Sequence, residues 1–254
     1  MTSPTTTDQI LLNGTEGDDD LLGTPGADVI CGQAGQDTIS GLAGNDSLLG
    51  EAGNDTLTGG AGDDTLAGGE GDDTVIVNNF SSIDSFDGGA GQDTIRFEPS
   101  DGRNLTIFVE QGGVGDRQAG GQSFQNFEHI ITGDGNDNLI GDANDNSLSA
   151  GAGNDTLTGG AGDDTLTGGA GDDTLTGGSG DDTVIVNNFS GLDSFDGGAG
   201  QDTIRFEPSD GRNLTIFVEQ GGVGDRQAGG QSFQNFEHII TGDGNDNLIG
   251  DAND

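Results

Sequence analysis

Residues 50–58 read Gly-Glu-Ala-Gly-Asn-Asp-Thr-Leu-Thr, and residues 59–67 read Gly-Gly-Ala-Gly-Asp-Asp-Thr-Leu-Ala. Both are copies of one nine-residue unit, G-G-x-G-x-D-x-U-x, in which U is aliphatic. The unit runs in phase seven times over 14–76 and six times over 132–185, with 159–167 and 168–176 as further clear copies. A fixed period of nine points to a parallel solenoid rather than to a compact domain. Apolar residues nine apart, separated by paired glycines, offer no 3.6-residue face, which excludes helix. The glycine-rich first six residues of a unit supply a turn with positive φ, and the last three, typically Thr-Leu-Thr, supply a short strand. Alternation along that strand sends the central aliphatic inward and its neighbours outward. Two units then close one coil of 18 residues. The fold expected is all-β: a parallel β-roll, that is, a two-sheet right-handed β-solenoid, with irregular β interludes.

The expected inward ladders of the first array are Leu21, Ile39, Leu57 and Val75 on one sheet, facing Ile30, Leu48 and Leu66 on the other. In the second array Leu139, Leu157 and Leu175 face Leu148, Leu166 and Val184. A longer repeat overlies the nonapeptide: residues 62–145 recur as 171–254, differing only at Ala67/Thr176, Glu70/Ser179, Ser82/Gly191 and Ile83/Leu192. The organisation expected is a lead-in over 1–13, an array over 14–76, an interlude over 77–131, an array over 132–185, a second interlude over 186–240 and the start of a third array over 241–254. The interludes hold both histidines and all the arginines, but each keeps one good unit, as at 88–96. They read as irregular coils or a small β elaboration of the same solenoid, with aromatics filling a wider section. The chain stops inside a unit at Asp254, which suggests a fragment of a longer array or a frayed end.

The composition is far from globular averages: 254 residues with 52 glycines, 29% hydrophobic residues, no Trp and no Tyr. Forty-six acidic against six basic residues give a formal charge of −40, which repels nucleic acid and anionic membranes and attracts cations. Low hydrophobicity with high charge is also the signature of disorder. One inward aliphatic per nine ordered residues is a thin core, so something besides apolar burial must stabilise the fold. The single cysteine, Cys31, excludes an intramolecular disulfide and reads as a small apolar filler. The first residues show no secretory leader, and no stretch approaches the roughly 20 apolar residues needed to span a bilayer.

An aspartate recurs at position six of the units: Asp19, Asp28, Asp37, Asp46, Asp55, Asp64 and Asp73, then Asp137, Asp155, Asp164, Asp173 and Asp182, with Asn146 the one substitution. Asp93, Asp202 and Asp246 hold the same phase in the interludes and the last segment. Residues 18 apart stack on one edge of the roll, which places carboxylates about one strand spacing apart, roughly 4.8 Å. Such a column is destabilising unless a cation sits between its members. Calcium suits it, taking six to eight oxygens at about 2.3–2.6 Å from carboxylates and carbonyls in loose geometry, whereas magnesium demands a tight octahedron. Soft metals are disfavoured by the near absence of Cys and His.

These repeats resemble the repeats-in-toxin (RTX) family, the haemolysin-type calcium-binding nonapeptides. The resemblance implies multiple Ca2+ ions bound between consecutive coils by the fifteen aspartates named above and by carbonyls of the glycine segments. It also implies a secreted or cell-surface protein, exported by type I secretion and folding on extracellular calcium, although nothing after Asp246 resembles the family's C-terminal signal. No catalytic arrangement accompanies the repeats: His129 and His238 lack a spaced nucleophile and read as structural. Two other readings remain, an adhesion or carbohydrate-binding module recognising cell-surface glycans through the duplicated interlude, and a non-catalytic fragment of a larger secreted enzyme or toxin. Arg96, Arg103, Arg117, Arg205, Arg212 and Arg226 would serve glycans or simply pair with nearby acids. Outward Thr156, Thr158, Thr174 and Thr176 form only two rows, too few for an ice-binding face.

Overall fold

The computed structural model describes residues 9–99, 101–109, 122–207, 214–217, 223–224, 231–243 and 246–249. Arg117, Arg212 and Arg226, the segment 1–8 and the last residues 250–254 lie outside them. Every regular element among the described residues is a strand. They fall into two compact units, the first drawn from Met1–Asp101 and Phe108–Ile131, the second from Gly102–Ile107 and Thr132–Asp254.

The first unit is a parallel β-roll of two sheets. One sheet takes Leu11–Asn13, Val29–Ala34, Ser47–Ala52, Thr65–Glu70, Ser85–Ala90 and Ser123–Gln125 in that spatial order, and the other takes Asp20–Leu22, Thr38–Ala43, Thr56–Ala61, Thr74–Val77, Thr94–Phe97 and His129–Ile131. Consecutive strands of the chain alternate between the sheets, so parallel neighbours are 18 residues apart, as Leu48 opposite Leu66 and Ile39 opposite Leu57. The second unit repeats the plan. Asn138–Ile140, Thr156–Ala161, Thr174–Ser179, Ser194–Ala199 and Ser232–Gln234 follow one another in one sheet, and Ser147–Ala152, Thr165–Ala170, Thr183–Val186, Thr203–Phe206 and His238–Thr241 in the other.

All thirteen inward aliphatics expected from the repeat are buried, and none is more than 8% exposed. The strands are longer than the nonapeptide suggests. Instead of three residues, nine of the strands in the arrays run six, from position seven through position three of the next unit, as in Thr56–Ala61, leaving a three-residue turn. The extension is possible because position one is glycine. In Thr56–Ala61 the buried positions are Leu57 and Gly59, so alternation continues inward past the aliphatic onto a residue with no side chain to accommodate. The turn needs glycine for a different reason: Gly53 has φ +132°, and a Cβ there would run into the Gly35 carbonyl one coil earlier.

In the interludes the roll thickens. Phe86, Phe97 and Phe124 replace aliphatics at inward positions, and the rings run as a chain, Phe80 to Phe97 at 6.3 Å, Phe97 to Phe124 at 6.1 Å and Phe124 to Phe127 at 6.3 Å between centroids. The copy repeats it, with Phe206 and Phe233 at 5.8 Å in a T-shaped contact.

Two glycine substitutions separate the backbone requirement from mere glycine content. Gly53→Ala is expected to destabilise the folded roll by about 1–3 kcal/mol, whereas Gly17→Ala, whose Cβ would meet nothing within 4 Å, should stay within about 0.5 kcal/mol of the parent. Urea unfolding followed by far-ultraviolet circular dichroism checks both, and equal losses would contradict the assigned turn geometry.

Candidate metal centres

Position six closes the turn, and its carboxylate points back under the coil. Oδ1 of each aspartate accepts the backbone N–H of the position-six residue one coil earlier. On one edge of the first unit the N–H groups of Asp19, Asp37, Asp55 and Asp73 each donate at 2.8 Å, to Asp37, Asp55, Asp73 and Asp93 respectively. On the other edge Asp28 donates to Asp46 at 2.8 Å, Asp46 to Asp64 at 2.9 Å and Asp64 to Asp84 at 3.0 Å. The second unit has the same ladders, Asp137 to Asp155, Asp173 and Asp193 on one edge and Asn146 to Asp164, Asp182 and Asp202 on the other. Leu105 N–H donates to Asp137 Oδ1 at 2.7 Å, and Leu214 N–H to Asp246 Oδ1 at 2.8 Å.

The second carboxylate oxygen is the chemically open one. Oδ2 of Asp37, Asp46, Asp55, Asp64, Asp73, Asp93, Asp137, Asp155, Asp164, Asp182 and Asp202 is buried and receives no hydrogen bond. These side chains are between 0 and 3% exposed, so water does not supply the missing donor from the surface. An ionised oxygen buried without a partner is costly and demands either a proton or a cation.

Glycine at position one shapes what lies beside that oxygen. A Cβ on Gly50 would overlap Asp55 Oδ2 and meet the carbonyl oxygen of Gly68 one coil on, and the same pairing recurs at Gly32 with Asp37 and Gly50, at Gly41 with Asp46 and Gly59, and at Gly159 with Asp164 and Gly177. At Gly88 and Gly197 the carbonyl comes from Asn126 and Asn235. A carboxylate oxygen and a carbonyl oxygen of the next coil thus face a point kept clear of side chains. Among the described residues no three His, Cys, Asp or Glu side chains gather at one place, so these cradles combine carboxylate with backbone oxygens, a donor set that suits a hard cation of loose geometry.

The first turns differ. Asp19 Oδ2 accepts from Thr15 N–H at 2.6 Å and from its hydroxyl at 2.9 Å, and Asp28 Oδ2 accepts from Thr24 N–H at 2.6 Å. Beginning with the next unit, position two takes positive φ even where it is not glycine, 82° at Gln33, 76° at Leu42 and 77° at Glu51, and in those units the aspartate keeps an undonated Oδ2. Backbone handedness at position two thereby accompanies the change from a self-satisfied carboxylate to an open one. The nonapeptide pattern does not show it, because Gln, Leu and Glu there look like ordinary variable positions.

Desolvation raises the carboxyls of the columns, pushing Asp73, Asp155 and Asp164 up to about 7 and Asp64, Asp93 and Asp182 up to about 6. The N–H on Oδ1 pulls the other way, and neighbouring carboxylates add to the rise. Asp28 is the contrast: burial raises it, but the N–H groups of Ile10 and Thr24 outweigh that, and its carboxyl lies below the ordinary value.

Sequence reading missed Asp84 and Asp193, which are 4% exposed and each extend one column of their unit. Their segments lack the paired glycines, with Gly191 the one glycine present and Ser82 in its place in the first copy, yet each stands nine residues before a recognised aspartate, Asp93 and Asp202, and that interval was the available signal. The insertion that hides them lengthens the coil from 18 to 20 residues. His129 and His238 occupy outward strand positions opposite Thr94 and Thr203. Arg96 and Arg205 pair at the surface with Glu98 at 3.8 Å and Glu207 at 3.4 Å. No helix among the described residues is long and apolar enough to cross a membrane.

The family model for the RTX calcium-binding nonapeptide repeat matches residues 13–48, 40–75, 81–97, 131–166, 150–184, 189–206 and 235–254, well over half of the chain. The chain belongs to that family and is a β-roll built of its calcium-binding repeats. A comparison with curated proteins finds no match.

The raised carboxyls fix a pH dependence. Their folded-state values lie above the ordinary 3.8, so folding without a cation takes up protons. Stability from this source is full below about pH 4 and is lost as pH rises through 6 to 7. A cation must displace those protons, so calcium addition is expected to release protons at pH 6 and almost none at pH 8.5. Calorimetric titration in two buffers of different ionisation enthalpy measures this, and equal proton release at both pH values would refute it.

Proposed function

We propose that the protein is a calcium-gated folding and display scaffold, a non-catalytic module of a secreted or cell-surface protein that folds when it meets extracellular calcium. The observation that carries this reading is the row of buried Oδ2 atoms without donors, which at Asp37, Asp46, Asp55, Asp73, Asp93, Asp164, Asp182 and Asp202 lies beside a backbone carbonyl of the next coil. The ligands proposed are Asp37, Asp46, Asp55, Asp64, Asp73 and Asp93 in the first unit and Asp137, Asp155, Asp164, Asp173, Asp182 and Asp202 in the second, each with backbone carbonyls of the neighbouring coil. Asp19 and Asp28 stand outside the set because Thr15 and Thr24 already satisfy their Oδ2. Asp246 holds the same phase and accepts the Leu214 N–H, which supports a further site in the last segment.

Bound calcium supplies the charge that the column lacks and bridges successive coils. The chain's own residues do the rest: the Oδ1 ladder sets the coil spacing, position-one glycine keeps the cradle open, and the single aliphatic stripe gives the coils a dry face to stack on. Sites of the extracellular class, with dissociation constants of about 10⁻⁴–10⁻³ M, would stay empty in a calcium-poor cytosol and fill outside the cell. Family membership supports export by type I secretion, in which an unfolded chain of charge −40 is the natural cargo.

Far-ultraviolet circular dichroism at pH 7.5 decides between a calcium-dependent and a self-sufficient fold. The full chain is expected to be disordered in excess chelator and β-rich with millimolar calcium, and equimolar magnesium should not replace calcium. Identical β-rich spectra in both conditions would overturn the reading.

A further inference from the structure

The aspartate columns of each unit end on residues of another type. Register places Ser123 opposite Ser85 and Phe124 opposite Phe86, so the residue that falls in line beneath Asp84 is Gln122, and in the copy Gln231 falls beneath Asp193. Gln122 is 1% exposed, as is Gln231. Its Nε2 donates to Asp84 Oδ2 at 3.0 Å and to the Asn79 carbonyl at 2.8 Å, and Gln231 Nε2 donates to Asp193 Oδ2 at 2.7 Å and to the Asn188 carbonyl at 3.2 Å. Both amide hydrogens are therefore spent on a position-six carboxylate and on the carbonyl five residues before it, oxygens of the two kinds that converge in the open cradles. Turning the amide over would set Oε1 against two oxygen acceptors.

We propose that Gln122 and Gln231 take the place of a calcium ion, so that each unit contains one turn built on the same carboxylate geometry in which the aspartate Oδ2 is satisfied by a protein N–H, the Oε1 of each Gln being left as the buried acceptor without a donor. The Gln122 amide bridges Asp84 Oδ2 and the Asn79 carbonyl, so it and an ion would compete for the space between the same two oxygens. The serine that assists in the first copy is dispensable: Ser82 Oγ also donates to Asp84 Oδ2, at 3.0 Å, but its counterpart is Gly191, and there Gln231 does the work at the shorter distance. The other edge ends in a different way. Asp93 N–H donates to Glu128 Oε2 at 2.9 Å and Asp202 N–H to Glu237 Oε2 at 2.8 Å. Here the inward residues Phe124 and Ile130 are six residues apart where Leu57 and Leu66 are nine apart, and the longer side chain restores the reach that the shortened backbone loses. Buried Phe127 lies between Phe124 and Ile130. The columns are thus finished by Gln and Glu rather than by a further aspartate, and the ion count is fixed by protein groups at one end of each column.

This inference rests on the calcium reading, and the experiment separates the two. Calcium bound per folded chain is measured by equilibrium dialysis with atomic emission for the parent, for Asp55→Asn with Asp164→Asn, and for Asp84→Asn with Asp193→Asn. The first pair is expected to lower the count, and the second to leave it unchanged. If the first pair changes nothing, the calcium reading itself fails; if both pairs lower the count, the Gln closure fails and the calcium reading stands. Should the Asp84 and Asp193 variant not fold, hydrogen exchange on the parent chain in a calcium titration provides the second test. Amides of Ser85–Ala90 should reach protection at lower calcium than those of Ser47–Ala52 by about threefold or more, and a coincident or higher midpoint would overturn the proposal.

Discussion

A carboxylate buried every nine residues, with one oxygen tied into the backbone and the other left without a donor, is the constraint to which the rest of this structure answers. Oδ1 is held by the N–H of the preceding coil, which fixes the side chain and sets the repeat of the column. Oδ2 then has nowhere to turn. Buried away from water, and stacked at about one strand spacing from groups of like charge, such carboxyls resist ionisation; burial first and neighbouring carboxylates second push Asp73, Asp155 and Asp164 up to about 7. A proton relieves this in acid; at neutral pH a divalent ion is the remaining remedy.

The core and the columns are complementary in what they lack. Most six-residue strands offer one inward aliphatic and then a buried glycine, as Thr56–Ala61 does with Leu57 and Gly59, so the hydrophobic stripe is narrow for a solenoid of this charge. The glycine is there for the column: a methyl group at Gly32 or Gly50 would occupy the space facing Oδ2. The sequence therefore trades core volume for cradle space wherever position one is glycine; Thr132 and Ala150 are the buried exceptions, before Asp137 and Asp155. Only the Phe-bearing coils recover the lost volume, with Phe97 buried between Phe80 and Phe124, and there the column itself stops.

Most of this architecture was legible in the nonapeptide. The period of nine placed every inward aliphatic from Leu21 to Val184, and one phase of the repeat picked out the aspartates that the structure stacks. Three things were not legible, each for a physical reason. Strand length was underestimated because glycine reads as a turn former, whereas at position one it is a buried strand residue relieved of its side chain. The division of the carboxylate oxygens could not be read at all, since in the first units it goes with φ at position two, which is not positive at Thr15 and Thr24 but is at Gln33, Leu42 and Glu51. Asp84 was hidden by a two-residue insertion that breaks the spacing of 18 while keeping the spacing of nine to Asp93.

The 109-residue duplication bears on how such a column can be shortened or lengthened. Its two copies differ at four positions, and none of these is a position-six aspartate, a column-ending Gln or Glu, or an inward residue of the aliphatic stripe. Two of the differences, Ser82/Gly191 and Ile83/Leu192, lie in the inserted segment that stands in for the glycine turn, and the hydrogen bond lost with Ser82 is compensated by a closer Gln231. A segment that carries both an open column and the residues that finish it is self-contained in charge: adding a copy adds carboxylates together with their own termini, and no carboxylate is left facing a coil unprepared for it. A cut elsewhere in the repeat would multiply open cradles without ending them. The electrostatic unit of this chain is for that reason longer than its structural unit of nine or 18 residues, and it includes the interlude.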